Sequence, residues 1–379
     1  WVGTDSGLAE WRPDFGVFVR YQSHSSKPNS LVNNRVNAIS EDKSGVLWLA
    51  THGGVSLWNH FSDSFTYYNA GNDNLRSDIV TSVAESSTGL IWVGTYGGGL
   101  TSIDPLSGTV THYLHDDAVA DSIPDDQVMS VYIDREDRLW VGTRTGGLAM
   151  KLPDQEGFTL YQHDPKRGTS LSGNGVTSIL QDRAGGLWVG VFDGGLNYSA
   201  SGDPQNFQRY QHDSSAENTI SGDRVLRVFE DHTGAIWVGT EGDGLNRLDL
   251  ETQQFTNYDL ETTANDSGRP RGTPWEIYET PDHTLWLGTL GQGLFRWSTA
   301  DREAGVVRFE QFSATQGLVS EVYGIVVGSA DELWLSSNRG LFEFNPATEE
   351  VRKFDRNNGL LSNEFNQGAR LRSRSGRVL

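Results

Sequence analysis

Short runs of apolar residues, each bounded by glycine and polar turn residues, follow one another along the whole chain without the spacing of a helix. In a typical unit the mixed run Val176 to Gln181 predicts a half-buried strand, and the turn residues 182–185 follow it. The runs at 187–190, 196–198 and 207–210 predict three more strands, joined by tight or polar turns. The pattern therefore predicts a four-stranded antiparallel sheet that is built again and again.

One block marks each unit: an apolar residue, Trp, then Val or Leu, a small residue, and a Gly-rich turn that ends in Gly-Leu or a close variant. Successive tryptophans of this block lie 44 to 49 residues apart, and eight of them occur: Trp1, Trp48, Trp92, Trp140, Trp188, Trp237, Trp286 and Trp334. A period in the forties is typical of the blades of a β-propeller. We therefore predict an all-β propeller of eight four-stranded blades, with a seven-bladed ring plus a displaced unit as the alternative.

The two chain ends are complementary. The chain opens on the Trp-bearing second strand of a unit, and it closes at Gly376 to Leu379, which resembles the hairpin before such a strand. We expect residues 1–379 to form a single domain, because each blade of a radial array packs only against its neighbours. We also expect the ring to be closed by an inner strand at about residues 365–379 that pairs with the N-terminal strands in residues 1–20.

Net charge and cysteine content exclude several classes of partner and site. The 50 acidic against 30 basic residues give a formal charge of −20, so we expect no nucleic-acid partner. This acidity favours neutral or cationic ligands. The absence of cysteine excludes disulfides, thiol nucleophiles and Cys-based metal sites. We predict neither a cofactor nor a metal ion.

The repeated tryptophans are expected to pack between blades, because a scaffold needs the same large ring at the same strand position in every unit. Trp275 is different. It follows Arg271-Gly272-Thr273-Pro274, off the register of the repeated block, in what we interpret as a crossover between blades. Trp275 is therefore a candidate for ligand contact.

Catalytic chemistry is the minority interpretation. His115, His163 and His212 share one phase of the repeat, which places them on different blades, so they are expected to be exposed turn residues. The neighbouring acids Asp116-Asp117 and Asp125-Asp126 could form a glycosidase pair but are more typical of solvated loops. No Gly-x-Ser-x-Gly elbow occurs. We expect no enzyme, and a propeller lyase or glycosidase stays as an alternative.

Two motifs carry a family resemblance that spans nearly the whole chain. The units Ile91 to Leu100 and Ile236 to Arg247 resemble the two-component regulator propeller repeat. The run from Tyr161 to Ser172 is similar to that family's linker between blades, and Leu361 to Ala369 is similar to its last-blade motif. Eight units are present, whereas the family's rings usually have seven blades.

The resemblance implies a periplasmic sensor region of a bacterial membrane signalling protein, with a histidine kinase or a diguanylate cyclase as output. Several relatives sense oligosaccharides, so a small polar ligand such as an oligosaccharide is the expected partner. Contact with the membrane is expected only through segments absent from this chain, and a homodimer is compatible with the full-length protein. A propeller scaffold that binds another protein is the alternative.

The expected binding face follows from strand direction. The turn between second and third strands and the crossover into the inner strand must lie at the same end of a blade, because consecutive strands alternate in direction. Side chains there differ between units, as an asymmetric ligand requires. The predicted ligand-binding residues are Tyr96, Arg144, Phe192, Arg224, Glu241, Trp275, Tyr323 and Arg339.

Overall fold

The computed structural model describes the chain except for residues 13, 60–63, 73, 201–205, 261–271, 314–315, 329–330, 356–359, 361, 363–364 and 371–379. Within the described part, 32 strands form eight antiparallel sheets of four strands each, with one α-helix and one short 3-10 turn. The predicted eight-bladed all-β propeller is confirmed, and the seven-bladed alternative is wrong. We number the blades in chain order and call the strand before the Trp-bearing strand the inner strand.

The first compact unit comprises residues 1–143, 149–160 and 323–379, and it holds blades one to four and blade eight. Blade one consists of β1 Val2–Thr4, β2 Gly7–Arg12, β3 Val17–Tyr21 and β32 Phe365–Arg370. Blade two consists of β4 Val36–Glu41, β5 Leu47–Thr51, β6 Gly54–Asn59 and β7 Ser64–Tyr68, followed by the 3-10 turn Ala70–Asn72. Blade three consists of β8 Val80–Glu85, β9 Ile91–Thr95, β10 Leu100–Ile103 and β11 Val110–Tyr113. Blade four consists of β12 Val128–Ile133, β13 Leu139–Thr143, β14 Leu148–Lys151 and β15 Thr159–Tyr161, and blade eight of β28 Gly324–Val327, β29 Leu333–Ser336, β30 Leu341–Phe344 and β31 Val351–Phe354.

The second compact unit comprises residues 144–148 and 161–322 and holds blades five to seven. Blade five consists of β16 Val176–Gln181, β17 Leu187–Val191, β18 Gly195–Ser199 and β19 Gln208–Tyr210. Blade six consists of β20 Val225–Glu230, β21 Ile236–Thr240, β22 Leu245–Asp249 and β23 Gln254–Tyr258. Blade seven consists of β24 Thr273–Glu279, β25 Leu285–Leu290, β26 Leu294–Trp297 and β27 Glu310–Phe312, and α1 Thr299–Glu303 interrupts it between β26 and β27.

Blade one combines strands from both ends of the sequence. β1 pairs antiparallel with β32, with Val2 opposite Arg370 and Thr4 opposite Phe365. The remainder of the segment that we expected to close the ring, residues 371–379, lies outside the described residues. The assignment of residues 1–379 to one domain stays a prediction.

The repeated tryptophans are tied to the hairpin turn that precedes them. In blade five the Trp188 side chain is fully buried and lies against Tyr198, with 4.2 Å between ring centroids. Its Nε1 donates to Asp182 Oδ2 at 2.8 Å, while Asp182 Oδ1 accepts from the backbone of Gly186 at 2.7 Å. The same Asp-to-indole bond is present in blades two, four and six, with Trp48, Trp140 and Trp237. One carboxylate therefore fixes both the turn and the buried ring.

The glycine of the repeated block is required by packing between blades. A Cβ on Gly190 would lie 2.7 Å from Val225 Cγ1 on the next inner strand, and a Cβ on Gly94 would lie 2.7 Å from Val128 Cγ1. Such contacts are closer than any real side chain allows, so the second strand can approach its neighbour only without a side chain. This approach brings successive inner strands together.

Candidate functional site

The turns after the second strands meet the crossovers into the inner strands, as strand direction requires. The backbone amide of Glu241 donates to the carbonyl of Arg224 at 2.9 Å, and that of Phe192 donates to the carbonyl of Gly175 at 2.8 Å. In the first unit, the amide of His52 bonds the carbonyl of Arg35 in the same way. The variable side chains of both loop sets therefore emerge together at one end of each blade.

Four residues of blades five and six form what we call the end cluster: Phe192, Asp193, Arg224 and Glu241. Arg224 Nε donates to Asp193 Oδ1 at 2.8 Å, and its Nη1 donates to Glu241 Oε2 at 3.2 Å. The guanidinium carbon lies 5.1 Å from the centre of the Phe192 ring, which is a cation-π distance. The structure thus brings three of the predicted site residues into contact.

The charges of the end cluster fix the chemistry that it can perform. The hydrogen bond and charge of Asp193, and then those of Glu241, raise the pKa of the Arg224 guanidinium above its ordinary value. Two carboxylates against one guanidinium leave a net negative charge. The Arg224 side chain is 52% exposed, so these groups are open to solvent and to a ligand. The arrangement offers hydrogen bonds to hydroxyl groups and repels anions.

Asp193 is a site residue that the sequence analysis missed. It has a φ of +59°, and the corresponding turns of blades three, six and seven place glycine there, at Gly97, Gly242 and Gly291. Aspartate is one of the few residues that tolerate this conformation. An aspartate where three other repeats have glycine was the feature of the sequence that could have identified Asp193 as a site residue. Its carboxylate accepts a hydrogen bond from Arg224.

The inner strands carry a second difference between blades. Near the start of most inner strands, one residue has no partner in the neighbouring second strand, as in a β-bulge. This extra residue is Asn37 in blade two, Thr81 in blade three and Thr177 in blade five. Each of these side chains donates to the carbonyl of the first residue of the next inner strand, at 2.7 to 2.9 Å: Val80, Val128 and Val225 respectively. At these three seams the inner strands are joined by a short polar side chain.

Blades six and seven have large apolar residues in place of these short polar side chains. Their extra residues are Leu226 and Trp275, and the residues that follow are Arg227 and Glu276. Arg227 Nη2 lies 3.3 Å from Glu276 Oε1, so an ion pair joins the two inner strands. We call these four residues the inner wall. Our placement of Trp275 in a crossover was wrong: it lies within β24, at the position that Leu226 takes in β20.

The end cluster and the inner wall are linked through the backbone. Arg224 directly precedes β20, which carries Leu226 and Arg227. The amide of Gly242, next to Glu241, donates to Thr273 Oγ1 at the start of β24 at 2.9 Å. Both groups of residues therefore belong to one region of the second unit.

The other predicted site residues lie elsewhere or contribute differently. Arg144 is exposed in the second unit, and its carbonyl and Phe192 Cβ lie 3.2 and 3.6 Å from the position of a Cβ on Gly175. Tyr96, Tyr323 and Arg339 belong to the first unit. The amide of Tyr96 bonds the carbonyl of Ile79, that of Tyr323 bonds Ser336, and that of Arg339 bonds Ser337 Oγ.

The three histidines at one phase of the repeat are exposed, as predicted, and they also brace the crossover. His163 Nδ1 lies 2.8 Å from the carbonyl of Leu171, and its backbone amide donates to Asn174 Oδ1 at 2.8 Å. His115 and His212 make the same pair of bonds in their own blades. Their equal environments indicate a structural role.

A histidine cluster that the sequence analysis missed lies at the opposite end of blades six and seven. His232 Nδ1 is 2.7 Å from Glu279 Oε1, which also accepts from Arg302 Nη1 of α1 at 2.6 Å, and Arg302 Nη2 pairs with Asp231 at 2.7 Å. The rings of His232 and His283 stack with centroids 3.7 Å apart and 18° between planes. The ligand atoms of His232, Glu279 and His283 all lie within 4.8 Å of one another, so these residues have the donor types and the spacing that could hold a metal ion. The ion pairs of this cluster also join blades six and seven.

Comparisons with known proteins agree with the repeat. Residues 30–53, 122–145 and 170–193 match the two component regulator propeller family. Histidine kinase P4 of Formosa agariphila is 38% identical over 53 residues, which cover 14% of this chain and 4% of that kinase. The extracellular domain of BT4673 from B. thetaiotaomicron, described as a hybrid two component system, is 21% identical with a TM-score of 0.41, covering 93% of this chain and 47% of that one. Dihydro-heme d1 dehydrogenase NirN is 12% identical with a TM-score of 0.63, covering 93% and 71%, and shares the fold alone.

The matched segments fall in blades two, four and five, and each spans the approach to an inner strand and the Trp-bearing strand after it. The chain spans only a small part of the kinase and about half of the BT4673 domain. Among the described residues, no helix is long and apolar enough to cross a bilayer. Three segments of the chain match the two component regulator propeller family, which confirms the resemblance that the repeats predicted.

Proposed function

We propose that this chain is the periplasmic, ligand-binding sensor region of a bacterial membrane signalling protein, and that it binds an uncharged polar solute such as a saccharide at the end cluster. The observation that carries the proposal is the joining of Arg224 to Asp193, Glu241 and the Phe192 ring. These groups differ from blade to blade, whereas the scaffold residues repeat. Repeats of the regulator family support the signalling role.

The chemistry of the end cluster favours a polyhydroxylated ligand over the alternatives. Carboxylates held by a guanidinium are fixed acceptors for hydroxyl groups, and an exposed aromatic ring provides an apolar face. A protein partner would favour a contiguous apolar patch instead. Here the 41%-exposed Phe192 ring lies against the Arg224 guanidinium, which pairs with two carboxylates. Binding rather than catalysis is the function that this arrangement supports best.

The experiment is a thermal-shift screen of neutral and charged oligosaccharides, followed by calorimetric titration of the hits. Arg224→Ala should weaken binding by about 10-fold or more, because it removes charged hydrogen bonds and leaves two carboxylates facing each other. Arg183→Ala is the matched control, since Arg183 lies in the hairpin turn at the other end of the blade-five inner strand. Unchanged affinity in Arg224→Ala, or an equal loss in Arg183→Ala, would refute the end cluster as the site.

A further inference from the structure

We infer that the binding site continues along the inner strands, where the inner wall of Leu226, Arg227, Trp275 and Glu276 holds one ring of an uncharged, polyhydroxylated ligand. This inference rests on the proposed function for the entry of a polar solute at this end of the blades. It adds a second subsite with its own residues. These residues lie on β20 and β24, the first strands of blades six and seven, which begin directly after the end cluster and its neighbouring loop.

At the seam between blades six and seven the Arg227–Glu276 ion pair joins the inner strands, so Leu226 and Trp275 are not needed for that contact. At the seams after blades two, three and five, a short polar side chain bonds the next inner strand directly. Leu226 has no donor and cannot repeat that bond in blade six, and in blade seven the large side chain of Trp275 takes the place of a small donor. Leu226 and Trp275 therefore provide apolar surface where blades two, three and five have a side chain that bonds the next inner strand.

Trp275 differs from the repeated tryptophans in its surroundings. Trp48, Trp140, Trp188 and Trp237 are fully buried, and each indole N–H bonds an aspartate. Trp275 is half-buried, and in the described part of the chain its indole makes no hydrogen bond and its ring contacts no other ring. A tryptophan with an apolar face and an unused donor is suited to stack on a sugar ring and to bond one of its hydroxyls.

Polar groups beside Trp275 indicate the charge of the ligand. Arg227 and Glu276 neutralise each other across the seam, and the Glu276 side chain is only 6% exposed. Arg227 Nε is shielded from solvent and has no hydrogen-bond partner among the described residues. A buried donor without an acceptor costs free energy, which a ligand oxygen would recover. A carboxylate ligand would meet Glu276 and an acidic protein, so hydroxyl oxygens are the fitting acceptors.

Irregular pairing sets the position of Trp275 in its strand. The extra residue in β24 opposes no single partner in β25, because Pro274 pairs with Thr289 and Glu276 with Gly288. The inner strands of blades two to six have the same irregularity, so the residue at this position, and not the bulge itself, distinguishes blade seven. In β24 the bulge places the aromatic ring and the paired carboxylate in consecutive positions.

The test uses five neutral trisaccharides, of glucose, xylose, arabinose, galactose and mannose, with trigalacturonate and chitosan trimer as charged probes. Affinities are measured by calorimetry for the wild-type chain, Trp275→Ala, Trp275→Phe, Arg227→Met and the end-cluster variant Arg224→Ala. We expect a neutral trisaccharide to bind, and Trp275→Ala to weaken it by about 10-fold or more. Trp275→Phe should recover part of the loss. A ligand-induced change in tryptophan emission should disappear in Trp275→Phe.

The outcomes separate the two proposals. If Trp275→Ala and Arg227→Met bind like the wild type while Arg224→Ala does not, the inner wall is refuted and the end cluster stands. Loss in the wall variants alone supports the inner wall and refutes the end cluster. Binding of only a charged probe overturns the ligand class, and binding of no probe overturns both proposals. Thermal unfolding of each variant shows whether a loss of binding reflects a loss of fold.

Discussion

Replacing Trp188 with alanine tests whether the repeated tryptophans build the scaffold. The side chain is fully buried among residues of blades five and six, including Leu196, Val225 and Phe255. Truncating a buried tryptophan typically costs about 3–5 kcal/mol, from lost burial and the cavity that remains. The bond from Trp188 Nε1 to Asp182 is lost as well. We therefore expect the free energy of unfolding to fall by at least this amount.

Phenylalanine at the same position divides the effect into its parts. Trp188→Phe keeps most of the apolar contact with Tyr198 but removes the donor to Asp182. Losing a buried hydrogen bond to a charged group costs about 1.5–3 kcal/mol. This variant should therefore lie between the wild type and Trp188→Ala. The difference between the two variants measures the contribution of the ring alone.

Urea unfolding followed by circular dichroism at 25 °C measures these differences as shifts of the midpoint at constant slope. Trp275→Ala is the matched control, because the same side chain is removed from a half-buried position where, among the described residues, it makes no hydrogen bond or ring contact. It should change the free energy of unfolding by less than about 1 kcal/mol. Equal losses at Trp188 and Trp275, or none at Trp188, would refute the distinction between scaffold and site.

Two further changes probe the packing of neighbouring blades. Burial alone would raise the pKa of Asp231, but bonds from Thr233 and Trp237 and the charge of Arg302 lower it below its ordinary 3.8. The ionised Asp231 carboxylate thus stabilises the fold above about pH 3.8, and this contribution is lost as the pH falls through the lowered pKa. Asp231→Asn should therefore reduce the loss of unfolding free energy at acidic pH, measured by urea unfolding at a series of pH values. An acid dependence equal to that of the wild type would contradict this prediction. Gly190→Ala should lower the unfolding midpoint, because the new Cβ would lie 2.7 Å from Val225 Cγ1, and a thermal melt equal to the wild type would show that the strands give way.

The blades could be predicted because their signal repeats. Eight copies of the Trp block and its turns made strand number, order and the buried rings legible, since every blade solves the same packing problem. The turn aspartates were interpreted only as turn formers, although Asp182 also binds the indole six residues later. That bond depends on the fold of the hairpin, which composition does not reveal.

The site was harder to predict, because its contacts join different blades. Arg227 and Glu276 lie 49 residues apart, the same distance as Trp237 and Trp286, so opposite charges at equal phase were an available signal. Trp275 was assigned to a crossover because it lies off the register of the repeated Trp block, although it follows Leu226 of the preceding inner strand by the same 49 residues. Side-chain pairing at the end of a blade depends on loop conformation, which a repeat pattern leaves open.

Hydrogen exchange with and without a bound neutral trisaccharide tests the central claim most directly, because it maps the ligand without any substitution. We expect protection in residues 192–195, 224–227, 241–244 and 273–276 of the second unit, where the end cluster and the inner wall lie. The hairpin turns 182–186 and 231–235, at the other end of the same blades, should exchange at unchanged rates. Protection confined to those hairpin turns, or to residues of the first unit, would contradict the account.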